Sequence, residues 1–438
     1  MTAPRILLAA YYFPPLAGGG VNRTLRLIDA LRDVGATPSI LTVDDAAWQR
    51  DPGLLNAVSD LRVLRVPNPD WGRVRASNVA SVARERSKRR GLLARWLVPD
   101  LHVGWSFLAA AVAGALARRD AFDVLYTTAP PYSSHLIGFA AQSAGKRWVA
   151  DFRDAWLDAP SRQDFGPRRA ALERRLERAV LDRADQVVFA TEGIRESALR
   201  RAPGLAGRSQ VAWSGFDAEG YRGALERSPD ATRYRLIHAG SVELDARAGQ
   251  VLRFLDVLAR WRLLVPAVTD TVSVEFVGAE SSLSEAIRAR GIDDFVSACA
   301  PVPRAELPER LGAAHRCLCL APRGAAGADT VPGRVFDAVG ANRRLLAVAD
   351  KGRLHNLLAR RGLGEAFEPA DAEAMIRSME RERLRVQSGA QLAQLVPETR
   401  CAFSSRETLA GLVRVLAQPR AAVGGGPRSA PAGLEALP

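Results

Sequence analysis

Short apolar runs alternate with stretches of helical period along nearly the whole of this chain, and few folds accommodate that order. A strand buried on both faces reads as an unbroken apolar run. Joining two such strands in parallel takes a crossover, ordinarily a helix. The first run, 5–10, leads through a Pro/Gly loop into a stretch, 21–34, where Leu25, Ile28, Leu31 and Val34 recur at helical spacing. Further strands are expected at 39–43, 124–127, 148–151 and 187–190. A second series places strands at 236–239, 272–277, 295–298, 317–321 and 345–348, with helices at 248–261, 282–290, 304–312 and 332–340 between them. The expectation is an α/β protein of two Rossmann-like, doubly wound domains.

A chain of 438 residues is also too long for one ordinary core. The pattern breaks near 213–221, in Ser-Gly-Phe-Asp, which sets the expected domains at 1–215 and 216–400. A last helix, 405–417 within the segment 401–417, is expected to cross back onto the first domain. The stretch 418–438 is rich in Pro, Gly and Ala and has little to bury, so disorder is expected there.

The apolar stretch 6–10 ends at Phe13-Pro14-Pro15, too short for a secretory signal core. The longest apolar run, 105–117, falls below the roughly 18 residues that span a bilayer. Four cysteines are scattered along the chain. Alternation in Arg316-Cys317-Leu318-Cys319-Leu320 puts both thiols on one face of a strand, as small buried hydrophobes and not a metal or redox pair. A reducing cytoplasm is the expected compartment.

The net charge of +13 is unevenly spread: residues 1–215 hold 31 basic and 21 acidic side chains, the remainder 30 and 27. Arg84, Arg86, Lys88, Arg89, Arg90 and Arg95 crowd one stretch, interleaved with or followed by Leu92, Leu93, Trp96, Leu97 and Val98. That composition suits either a solvated basic helix or the anionic inner face of a membrane, where apolar groups dip into the interface. Nucleic acid is not expected as a partner, because no aromatic-studded groove or recognition motif accompanies the charge.

The most informative segment is Val331-Pro332-Gly333-Arg334-Val335-Phe336-Asp337, with Asp329 eight residues before Asp337 and a Gly340-Ala341 turn after it. A helix N-terminus offers backbone N–H groups to an anion, and carboxylates accept hydrogen bonds from hydroxyls; together these suit a nucleotide sugar. Taken singly, Asp329 reads equally as a helix N-cap or loop carboxylate and Asp337 as an i,i+3 partner of Arg334. The segment resembles the donor-binding motif of family 4 glycosyltransferases, which reads Glu-x7-Glu or, in one branch, Pro-Gly-Lys-Phe-Glu before an Ala-Gly-rich turn. Here both acids are aspartates and the lysine is Arg334.

Four other segments follow the order of that family. The loop Phe13-Pro14-Pro15-Leu16-Ala17-Gly18-Gly19-Gly20, followed by Asn22-Arg23, is either a tight turn or the place where Gly19 and Gly20 admit a ligand to the backbone. Pro99-Asp100-Leu101-His102-Val103-Gly104-Trp105 and Pro130-Pro131-Tyr132-Ser133-Ser134-His135 are similar to segments of the same branch, and His135 is a helix cap or a catalytic histidine. Asp151-Phe152-Arg153-Asp154-Ala155-Trp156 brings charges to the carboxyl end of a strand, as an ion pair of Arg153 with Asp151 or Asp154, or as a cleft lining. His238-Ala239-Gly240-Ser241 ends the next domain's first strand; Ser241 stands where the family commonly has a cation, and Arg247 follows it by six residues, as a diphosphate ligand or a surface arginine.

The resemblance covers about 4–417. It implies the two-domain GT-B fold, with the active site in the interdomain cleft. It implies transfer of a glycosyl group from a nucleoside diphosphate sugar to an acceptor hydroxyl, with retention and without a metal or other cofactor. By the same resemblance Arg247 and Arg334 would stabilise the departing diphosphate, Asp329 would hold the transferred sugar and Asp337 the ribose. Gly19, Gly20, Trp105, His135, Arg153, Asp154, Gly240, Ser241, Thr330, Val331 and Gly333 would line the substrate site. Because the first domain of this family usually binds the acceptor, the resemblance together with the basic first half implies a saccharide or lipid-linked acceptor at an anionic membrane surface, in polysaccharide or glycolipid assembly. A non-catalytic scaffold and a nucleotide-sugar epimerase of the same fold are the alternatives.

Overall fold

We describe a computed structural model of the chain, which covers residues 4–44, 50–68, 97–158, 166–240, 242, 250–279, 281–324, 330–391 and 393–418. The first half runs β1 (Ile6–Ala9), α1 (Gly19–Arg32), β2 (Ser39–Val43), β3 (Val63–Val66), α2 (Val103–Arg118), β4 (Val124–Ala129), α3 (Leu136–Ser143), β5 (Arg147–Phe152), α4 (Pro167–Arg183), β6 (Gln186–Phe189), α5 (Glu192–Arg201) and β7 (Ser209–Val211). The second runs α6 (Arg222–Leu225), β8 (Tyr234–Ala239), α7 (Val251–Leu264), α8 (Val268–Thr271), β9 (Val272–Val277), α9 (Ser281–Arg288), β10 (Val296–Cys299), α10 (Leu307–Gly312), β11 (Arg316–Leu320), α11 (Arg334–Gly340), β12 (Arg344–Val348), α12 (Arg353–Arg361), β13 (Gly364–Phe367) and α13 (Ala372–Gln387). It closes with α14 (Pro397–Ala402) and α15 (Ser405–Ala417).

Each half builds one parallel sheet. The strand orders are β3-β2-β1-β4-β5-β6-β7 and β10-β9-β8-β11-β12-β13. Chain direction across the sheet reverses between β1 and β4 in the first and between β8 and β11 in the second. Crevices at the carboxyl ends of strands beside such a reversal are where open α/β sheets take ligands. The two-domain, doubly wound fold read from the alternation is the one observed.

The pleat explains the packing of the second sheet. Leu318, Leu320, Leu346 and Val348 join Trp261, Leu283 and Met379 on one face, while Cys317, Cys319, Leu345 and Ala347 join Phe336, Leu354 and Leu358 on the other. Both thiols are buried, and burial pushes them up to about 12 and about 11, so neither is a thiolate at neutral pH.

The edge strands β3, β7 and β13 were not expected. They are short and carry Arg65, Gln210 and Glu365 in place of an apolar run. Two expected helices are trimmed: α11 starts at Arg334 and not at 332, and 304–306 form a 3-10 turn before α10.

α15 is capped by Ser404, whose hydroxyl accepts from the Glu407 backbone N–H (3.4 Å). Its Leu409, Leu412, Val413 and Leu416 are buried in the first domain's core. The two strands of chain that cross between domains are tied together, Phe216 N–H donating to the Phe403 carbonyl (3.1 Å) and Ser405 N–H to that of Phe216 (2.8 Å). Residues 84–95 and 419–438, on which a basic surface and a disordered tail were expected, lie outside the described residues.

Candidate functional site at the interdomain cleft

On the first domain, β5 delivers Asp151 into the sheet interior and Arg153 and Asp154 beyond its end. Asp151 is wholly buried and grips Arg23 of α1 through two bonds, Arg23 Nη2 to Oδ1 (2.7 Å) and Nε to Oδ2 (3.0 Å). Tyr126 Oη (2.6 Å) and Thr128 Oγ1 (2.8 Å) also donate to Oδ2. Burial alone would raise the carboxyl, but the Arg23 guanidinium and the donated hydrogen bonds hold it below its ordinary range. Arg23 is thereby committed to structure. Its Nη1 donates onward to the Ala212 carbonyl (2.8 Å).

Arg153 pairs with neither aspartate. Its Nε donates to the Ala129 carbonyl (3.2 Å) and its Nη2 to that of Pro130, which folds the guanidinium over the start of α1. A Cβ on Gly20 would lie 2.2 Å from Arg153 Nη1, so only glycine allows this approach. Gly19 and Gly20 thus open α1 beside a cation, and Asp154 lies exposed in the same loop.

Trp105 and His135 are both buried in full. The Trp105 ring packs edge-on to Tyr11, 5.1 Å between centroids. His135 shares a hydrogen bond between Nδ1 and Thr127 Oγ1 (2.9 Å), and burial drives its pKa down to about 3. It makes no side-chain cap on α3, contrary to one of the two readings of the sequence. The segments bearing these residues meet at Asp100, whose carboxylate accepts from Ser133 N–H (2.9 Å) and Oγ (2.7 Å).

On the second domain β8 ends at His238-Ala239-Gly240. Gly240 adopts φ +113°, a region costly for any side chain, and its Cβ position lies 3.6 Å from Arg334 Nη2. Arg334, at the start of α11, donates through Nη1 to His238 Nε2. Burial, and then the Arg334 charge, hold His238 well below its usual pKa; the ring is neutral, with Nε2 as acceptor and the proton on Nδ1. Arg334 and Asp337 do not pair with each other, although one turn of helix sets them on the same side of α11.

Asp337 instead reaches across the domain boundary. Its Oδ1 accepts from Arg26 Nη2 of α1 (2.9 Å) and from Tyr221 Oη (3.0 Å). Arg26 is buried, and its Nη1 donates to the Gly215 carbonyl (2.5 Å). Nearby, Arg304 N–H donates to Asp51 Oδ2 (3.1 Å) and its guanidinium to Asn22 Oδ1, a second link between domains.

The structure therefore brings Gly19, Gly20, Arg153 and Asp154 together on one domain and Gly240, Arg334 and Asp337 on the other. Thr330 and Val331 lead into α11, and Gly333 is exposed at its cap. Ser241, Arg247 and Asp329 lie outside the described residues. Arg26, Tyr221, His238 and Arg304 were missed. The signal for Arg26 was present, since it shares with Arg23 the helix stripe otherwise filled by buried aliphatic residues. Among the described residues no group of three or more His, Cys, Asp or Glu side chains could hold a metal ion, and no helix is long and apolar enough to cross a membrane.

Residues 18–212 match the glycosyl transferase 4-like domain. No curated protein sequence matches the chain. Among solved structures it is similar to sucrose-phosphate synthase from Thermosynechococcus elongatus, with TM-score 0.62 and 16% identity over 94% of this chain and 99% of that one. Anabaena HepE, in complex with UDP-glucose, gives TM-score 0.62 and 15% identity over 94% and 99%. A putative UDP-N-acetylglucosamine 2-epimerase from Listeria monocytogenes gives 0.55 and 10% over 94% and 96%. At these identities the likeness establishes the fold, which is that of GT-B proteins.

Proposed function

We propose that this protein is a retaining glycosyltransferase of family 4, in the branch with the Phe-Pro-Pro-x-x-Gly-Gly loop, that moves a sugar from a nucleoside diphosphate sugar to an acceptor hydroxyl. The observation that carries the reading is the placement of Arg334, bonded to His238, beside Gly240 at the carboxyl end of β8, with Asp337 one turn further on α11. It puts a fixed cation and a carboxylate side by side at the reversal point of the sheet, the order in which a diphosphate and a ribose follow each other. HepE, of the same fold, carries UDP-glucose, which supports a nucleotide sugar as donor.

In this reading the acceptor oxygen bonds to the anomeric carbon as the bond from that carbon to the diphosphate oxygen breaks. The acceptor proton passes to the leaving phosphate, so no general base is assigned. Negative charge growing on the diphosphate is met by Arg334, held in place by His238, and by Arg247. Preorganised donors of this kind supply the largest share of many rate enhancements. Asp337 takes the ribose and Asp329 the transferred sugar, while Gly19, Gly20, Arg153 and Asp154 face them across the cleft. Trp105 and His135 support the acceptor side from within the core. No metal or cofactor takes part.

The basic surplus of the first domain favours a saccharide or lipid-linked acceptor at the anionic inner face of a membrane, in polysaccharide or glycolipid assembly. The match of 18–212 to a transferase domain favours transfer over epimerisation. Calorimetry against the UDP, GDP, dTDP and ADP sugars tests the reading. Micromolar binding of one of them, lost in Asp337→Ala, is the expected result. Binding of none overturns it and leaves a non-catalytic scaffold.

A further inference from the structure

The Asp337 carboxylate is held from both domains, by Arg26 of the first and by Tyr221 of its own. Both of its protein donors, Arg26 Nη2 at 2.9 Å and Tyr221 Oη at 3.0 Å, fall on Oδ1. Oδ2 takes no hydrogen bond among the described residues, and the side chain keeps 19% of its exposure. The two oxygens therefore have different roles available, one saturated by protein and one open to a ligand.

The donors are themselves buried and anchored. Arg26 is buried, with 5% of its side chain exposed, and is anchored by Nη1 on the Gly215 carbonyl at the start of the interdomain crossing. The Tyr221 ring packs against Phe216, and a Cβ on Gly340, at the end of α11, would come within 2.9 Å of both rings. An aspartate is one methylene shorter than a glutamate, and a short carboxylate reaches a ligand only if the backbone carrying it is brought close and the χ angles are fixed. Two charge-assisted bonds to one oxygen do that.

We propose that Arg26 and Tyr221 are positioning residues that turn Asp337 so that Oδ2 accepts from a ribose hydroxyl of the donor, coupling donor binding to the contact between domains. This rests on the glycosyltransferase reading above and deepens it. Because Arg26 belongs to α1, whose first residues Gly19 and Gly20 face the acceptor side, the same helix would register both substrates. Separation of the domains would leave Asp337 with the Tyr221 bond alone, and binding of the ribose would favour the joined state, in which Arg26 completes the pair.

The test uses the full chain and compares binding of a nucleoside diphosphate with its 2′,3′-dideoxy counterpart, for wild type, Arg26→Gln, Arg26→Lys and Tyr221→Phe. The base is whichever the wild type prefers among uridine, guanosine, thymidine and adenosine. Wild type is expected to favour the ribonucleotide over the dideoxy form. Tyr221→Phe is expected to weaken the ribonucleotide about three- to tenfold and Arg26→Gln about tenfold or more, with Arg26→Lys between them. The dideoxy form should bind all four proteins alike, an outcome that a merely structural role would not produce. Equal loss of both nucleotides in the variants, or loss of neither, overturns the inference, while binding by wild type keeps the underlying reading. Absence of binding by wild type removes the underlying reading and the inference with it. Unfolding in urea identifies any variant that fails to fold, and Tyr221→Phe, which removes one oxygen, then decides the matter.

Discussion

Arg23 and Asp151 form a two-bond ion pair with 2% and 0% of their side chains exposed, fastening α1 to the end of β5. Breaking a buried pair on one side strands the other charge where water cannot reach it. Arg23→Met and Asp151→Asn are each expected to cost about 3–5 kcal/mol in urea unfolding, and the double variant less than the sum of the two. Additive losses would show that the two groups act independently.

The pH dependence of stability carries a second expectation. His135 is held at about 3 in the fold against 6.5 when free, because burial penalises the imidazolium. The unfolded chain therefore binds a proton that the folded chain does not, between about pH 6.5 and 3. Stability falls across that window as pH is lowered, by about 1.4 kcal/mol per pH unit for this one group, and is unaffected above it. His238 is depressed as well and adds in the same direction. His135→Gln is expected to flatten the slope between pH 6 and 4, measured as unfolding midpoint against pH.

Gly138 tests packing against propensity. Replacing glycine by alanine inside a helix ordinarily stabilises it by about 1 kcal/mol. On α3, however, a Cβ at this position falls 1.9 Å from a ring atom of the buried Trp148. Gly138→Ala is expected to destabilise by about 1–3 kcal/mol, with the clash outweighing the helix preference. A rise in thermal midpoint would refute the close approach.

At Gly20 the obstacle is the far end of a flexible side chain. Gly20→Ala displaces the Arg153 guanidinium from its carbonyl anchors but leaves the core alone. Its effect on thermal stability is expected to stay within about 1 kcal/mol. Sugar transfer, followed by nucleoside diphosphate release, is expected to fall about tenfold or more.

Arg334→Ala removes the cation beside Gly240. A charge-assisted contact to a diphosphate is worth about 1.5–3 kcal/mol, so nucleoside diphosphate affinity is expected to drop about tenfold or more. Arg334→Lys is expected to recover part of it, since an ammonium keeps the charge but lacks the planar fork. Calorimetry on the three proteins checks the order.

Much of this molecule is local. Strands such as β1 and β12 are buried along nearly their whole length, so each is written as an apolar run, and the glycines and charges that follow them mark their carboxyl ends directly. The doubly wound class, the place of the loop before α1, and the juxtaposition of Gly333, Arg334 and Asp337 all follow from spacing along the chain. The edge strands β3, β7 and β13 escape that reading because one side of each is open, and mixed residues such as Arg65 and Glu365 satisfy them. What only the tertiary structure decided are the partners of the charged groups. Asp337 is paired with Arg26, 311 positions away, and not with Arg334 three positions away; Arg153 is folded onto carbonyls and not onto Asp151 or Asp154. A buried charge settles on whichever counter-group the packing of two domains brings within about 3 Å, and sequence separation sets no limit on that choice.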